Sequence, residues 1–91
     1  MAKSYRERIA FELIRYFRNN GNKPTWTAVL YHAVFAIYPK HVTLRMVASV
    51  LRCKDVFEEH NPVKKRYGRQ YAVWPSLLEM DDESIVLMVG L

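Results

Sequence analysis

Tyr5, Ile9, Leu13, Tyr16 and Phe17 recur at helical spacing, while Arg8, Glu12, Arg15 and Arg18 fall on the other side. That period predicts a first helix within "SYRERIAFELIRYFRNNGN", with one apolar stripe turned to a core. Ser4 and Glu7 have capping-box spacing. The hydroxyl can accept from the Glu7 amide while the carboxylate reaches back to the Ser4 amide. Asn20-Gly21 supplies the stop, because glycine adopts the left-handed conformation that follows a last helical turn.

The next stretch, "KPTWTAVLYHAVFAIYPKH", is apolar almost throughout; between Trp26 and Tyr38 only Thr27 and His32 are strongly polar. Thr25 as N-cap and Pro39 as terminator bound a second helix. Its β-branched and aromatic content keeps a strand open as the competing reading. A helix apolar on nearly every side must be covered on nearly every side, by the other helices or by a second copy of the chain. "HVTLRMVASVLRCKD" predicts a third helix with Thr43 as N-cap. Leu44, Val47, Ala48 and Leu51 form its buried stripe, and Arg45, Ser49, Arg52 and Cys53 point outward. The short "PKHV" connection suits a helix-turn-helix.

Two strands follow. "VFEEH" opens on Val56 and Phe57, and in "QYAVW" Tyr71 and Val73 share one face at period two. The loop between them contains Pro62 and Gly68. The last apolar run, "SIVLMV", fits either a strand or a short helix capped by Asp81 or Asp82, and its hydrophobicity requires only that it pack on something.

A chain of 91 residues is one domain. It has 6 Tyr, 4 Phe and 2 Trp, enough for a single small core. No apolar run approaches the ~18 residues of a membrane span. The start "MAKSYRER" lacks the apolar stretch of a signal peptide, so a cytosolic location is expected. One cysteine, Cys53, forms no internal disulfide, and with three scattered histidines (His32, His41, His60) it matches no zinc-ligand spacing. Cys53 is read as a bystander, Trp26 and Trp74 as core aromatics, and His32 as a core or interface histidine.

Charge changes the picture. The formal net charge is +5, yet Glu79, Asp81, Asp82 and Glu83 crowd the tail, and all 14 Lys and Arg precede Trp74. A basic body with an acidic tail suits a polyanionic partner. The strongest concentration is "VKKRYGRQY", where Lys64, Lys65, Arg66 and Arg69 surround Gly68 with Tyr67 and Tyr71 interleaved.

Helix, helix, helix, strand, basic loop, strand: from Ser4 to Trp74 this order resembles the winged helix-turn-helix family, in the form of the small domains of archaea and their viruses. The resemblance implies an α+β fold with a β-hairpin wing, residues 1–76 forming the winged-helix domain. It leaves residues 77–91 as an acidic and apolar tail packed on that domain or on a dimer partner. It implies binding to double-stranded DNA as a transcriptional regulator, in a host cytoplasm if viral. The third helix then lies in the major groove, with Arg45, Ser49 and Arg52 outward and Thr43 near its start. Lys64, Lys65, Arg66 and Arg69 of the wing meet phosphates or the minor groove, and Tyr67 and Gln70 donate to phosphate oxygens. Lys23 or Arg18 add backbone contacts. A homodimer would set two third helices about one duplex turn, ~34 Å, apart on a palindromic site.

No enzyme is expected. No Ser, Cys or His sits in a nucleophile motif, and no Gly-rich loop joins a strand to a helix. No cofactor is implied. The acidic cluster could in principle hold Mg²⁺ but suits a helix N-terminus better. The competing class is a protein-docking module without DNA binding, for which the apolar second helix and the "SIVLMVGL" tail speak.

Overall fold

The computed structural model describes residues 4–60 and 69–90. The fold is α+β, with four α-helices and a three-stranded antiparallel sheet among these residues. The helices are α1 (Tyr5–Asn19), α2 (Thr27–Phe35), α3 (Leu44–Leu51) and α4 (Asp82–Gly90). The strands are β1 (Thr25–Trp26), β2 (Phe57–His60) and β3 (Gln70–Val73), in the order β1-β3-β2.

Local chemistry explains α1. The Ser4 hydroxyl accepts from the Glu7 amide at 3.2 Å, and Glu7 Oε1 accepts from the Ser4 amide at 3.4 Å, closing the capping box. Ile9, Ala10, Leu13, Ile14 and Phe17 are buried along one side, whereas Tyr5, expected in that stripe, is 44% exposed. It lies in the first turn, stacked only loosely on His41 at 5.4 Å between ring centroids. The stop falls at Asn20, and Gly21 (φ +71°) and Asn22 (φ 53°) turn the chain back in the left-handed region. Asn22 then joins the loop to β3: its Nδ2 donates to the Val73 carbonyl at 2.8 Å, and its Oδ1 accepts from the Val73 amide at 2.9 Å.

The second segment departs from expectation at both ends. Thr25 is not a helix cap; Thr25 and Trp26 form β1, opposite Tyr71 and Gln70. The helix begins at Thr27, whose amide and hydroxyl both donate to the Arg69 carbonyl, at 3.1 and 3.0 Å. It ends at Phe35 rather than Tyr38, with Ala36 as its C-cap. The Ile37 and Tyr38 amides both close on the Val34 carbonyl at 3.0 Å. Only Leu30 and Val34 of α2 are buried, so its sides are not all covered. His32 is exposed and not a core residue; it lies beside Tyr31, 5.4 Å between ring centroids.

In α3 the buried side is Val47, Val50 and Leu51. Leu44, expected to be buried, is 50% exposed: it stands at the edge of the buried stripe and lines an open depression with Thr27 and Ala28 of α2. The tail segment folds as helix. A 3-10 turn (Pro75–Glu79) leads to α4, where Asp81 accepts from the Ser84 amide at 2.9 Å. Bonding to Ser84 holds the Asp81 carboxyl below its ordinary range. Ile85, Val86 and Val89 turn into the core, so residues of the tail pack on the domain itself.

Two arginines of α1 hold this tail. Arg18 donates from Nε to Asp82 at 2.6 Å and from its other nitrogens to the Leu78 and Met80 carbonyls at 2.9 and 2.5 Å. That fork of contacts clamps the tail to α1. Arg6 Nε donates to the Val89 carbonyl at 3.2 Å, satisfying the C-terminal end of α4. Trp74, expected in the core, is 39% exposed; its indole nitrogen donates to the Lys54 carbonyl at 2.7 Å, which places it on the rim. Among the described residues no buried side-chain nitrogen or oxygen lacks a hydrogen-bond partner, and no helix is long and apolar enough to cross a membrane.

Candidate nucleic-acid interface

At about 100° per residue, the exposed positions of α3, half-buried Ala48 and the C-cap Arg52 form one continuous arc. Around the helix the order is Leu44, Ala48, Arg52, Arg45, Ser49, spanning roughly 140° opposite the buried Val47, Val50 and Leu51. Arg45 and Arg52 lie almost on one line along the axis, two turns and roughly 10 Å apart. Thr43 caps the helix, its hydroxyl accepting from the Met46 amide at 3.2 Å, so that oxygen is engaged.

Each edge of the arc meets a different neighbour. On the Ser49 edge stands Arg6, whose guanidinium donates to the Ser49 hydroxyl at 3.1 Å. Arg6, Thr43, Arg45 and Ser49 line one shallow depression of about 230 Å³. Ser49 thus positions a second-row cation, and Arg6 joins the basic face. The sequence alone did not single out Arg6, since a bond spanning 43 positions leaves no local pattern.

On the Leu44 edge stands the base of the hairpin. Thr27, Ala28, Leu44, Ala48, Arg52, Arg69 and Tyr71 line a depression of about 340 Å³. Arg52 and Arg69 therefore open onto a common surface. Arg69 donates to Glu59 Oε1 at 3.1 Å, and the Tyr71 hydroxyl donates to the same oxygen at 3.2 Å. Hydrogen bonding to Tyr71, then the charge of Glu59, raises Arg69 above its ordinary value, so it stays cationic. Burial first of all pushes the Tyr71 phenol up, so it is a neutral donor at pH 7. The Arg69 side chain is 59% exposed, and an ion pair this open to water exchanges readily for another anion.

Gln70 is placed differently. Strand alternation turns it away from the Arg69 and Tyr71 face, onto the side it shares with its cross-strand neighbours Trp26 and His60. Lys64, Lys65, Arg66 and Tyr67, the centre of the basic loop, lie outside the described residues. In the acidic tail, Asp81 is bound to Ser84 and Asp82 to Arg18. Among the described residues no group of three or more His, Cys, Asp or Glu is arranged to hold a metal.

Compared with known proteins, the chain matches no family model, no curated protein and no solved structure.

Proposed function

We propose that this chain is a winged-helix protein that binds double-stranded DNA, with α3 in the major groove and the hairpin loop on the flanking backbone. The observation that carries this reading is the depression shared by α3 and β3, where Arg52 and Arg69 border the same surface that Arg45 continues. The element order supports it too: three helices precede an antiparallel hairpin, whose second strand also pairs with the short strand leading into α2. Arg45 and Arg52 are suited to guanine O6 and N7, each able to bond bidentately. Arg69, Lys64, Lys65 and Arg66 serve phosphates.

The test is the salt dependence of duplex binding. Each phosphate contact releases condensed counterions, lowering log K by about 0.9 per decade of salt. Replacing Lys64, Lys65 and Arg66 together by Ala is expected to flatten that slope by roughly 2–3 and to weaken all duplexes alike. Protein that ignores duplex DNA at the lowest salt would favour the docking-module reading instead.

A homodimer belongs to this proposal. The exposed side of α2 presents Val29, His32, Phe35 and Ala36, with Val29 44% and Phe35 37% exposed, and α2 contains no Lys, Arg, Asp or Glu. Two copies carrying +5 each would meet there without like-charge contact. Val29→Asp is expected to shift sedimentation equilibrium from dimer to monomer while leaving the circular dichroism spectrum unchanged; a dimer that persists would exclude this face.

A further inference from the structure

We infer that Leu44 and Ala48 form a thymine-methyl reader within the α3 surface, giving the protein a preference for T·A pairs beside the bases that the arginines contact. The inference rests on the DNA-binding reading and adds a specificity-determining residue to it. Leu44 is 50% exposed although it stands in the first turn of a helix whose other large aliphatic residues, Val47, Val50 and Leu51, are fully buried. With Ala48 it lines a depression of about 340 Å³, together with Arg52, Arg69 and Tyr71 and the Thr27 and Ala28 end of α2. No Asp or Glu lines that depression among the described residues, and Glu59 approaches Arg69 and Tyr71 from β2.

The chemistry narrows the occupant. An exposed leucine between two guanidiniums gains nothing from a phosphate, which is fully hydrated and charged. A base edge offers something different. In the major groove thymine alone among the four bases presents a methyl group, at C5, beside the O4 acceptor. A leucine tip and an alanine one turn on can enclose that methyl. The flanking arginines meanwhile supply the charge that brings the duplex to them. Burying one methyl-sized group contributes about 0.8 kcal/mol, or roughly fourfold in affinity.

Uracil gives a clean comparison, because it keeps every hydrogen-bonding group of thymine and lacks only the methyl. Mixed-sequence duplexes of about two helical turns, made once with thymine and once with uracil, are titrated with the full chain at low salt. The unmodified protein is expected to bind the thymine pool tighter, by about fourfold per seated methyl. Leu44→Ala is expected to bind the two pools alike, and Leu44→Met to keep the preference. Leu44 is exposed, so thermal melting should report the same fold for both variants. Equal binding of the two pools by the unmodified protein would overturn the methyl reader and leave DNA binding standing. A preference that survives Leu44→Ala would overturn the assignment to this residue. No binding to either pool would remove the DNA-binding reading and this inference together.

Discussion

Replacing Arg45 and Arg52 together by Glu is expected to abolish most duplex binding, by about a hundredfold or more at low salt. The two side chains lie on one line of α3, both exposed, and Arg52 opens onto the hairpin base as well. Losing two arginine–base pairings of about 1–3 kcal/mol each already accounts for roughly one and a half decades of affinity or more, and the new carboxylates repel the backbone beyond that. The neutral versions separate the roles. Arg45→Ala or Arg52→Ala should change the preference among sequences by about 1–3 kcal/mol for each arginine–base pairing removed. Filter binding or fluorescence anisotropy on a panel of duplexes measures both. Equal weakening on every sequence for the alanine variants would place these arginines on phosphates. Unchanged affinity of the double charge reversal would remove α3 from the interface.

Phe17→Ala is expected to lower stability by about 3–5 kcal/mol, the range for truncating a buried aromatic. Phe17 is completely buried, near the C-terminal end of α1. Its ring lies 6.2 Å from Phe57 of β2 and edge-on to Tyr16 at 6.0 Å. Its ring thus packs α1 against β2 within the common core. A domain of this size has only about 5–15 kcal/mol of net stability. At about 4–8 °C per kcal/mol the midpoint should fall by at least about 12 °C, measured by calorimetry or circular dichroism. A fall of less than about 4 °C would mean that the core closes around the gap. Because β2, β3 and α3 pack on the same core, the variant should also lose duplex binding in proportion to the fraction unfolded.

Parts of this architecture were legible from local pattern, and the reason is locality itself. The α1 capping box needs only Ser4 and Glu7, three positions apart. The exposed arc of α3 follows from the helical period, which put Arg45, Ser49 and Arg52 outward as the structure has them. Local pattern failed where a distant partner decides. Thr25 and Trp26 are strand only because Tyr71 and Gln70 lie opposite them. "SIVLMV" has no period of its own; Asp81 capping at one end and Arg6 at the other make it a helix. Leu44 is in phase with the buried stripe yet stands at its edge, 50% exposed, while Val47 of the same turn is buried. Within the candidate interface the same rule applies. The arginines of α3 were readable, whereas Arg6 on Ser49 and the Glu59 partner of Arg69 come from packing across the chain.

The shared surface of α3 and the hairpin base is best tested by chemical-shift mapping of ¹⁵N-labelled protein titrated with a duplex at low salt. Shifts should concentrate at Thr27, Leu44, Arg45, Ala48, Arg52 and Arg69, all on or beside that surface. Shifts confined to the outer side of α2 or to α4, or none at all, would contradict the account.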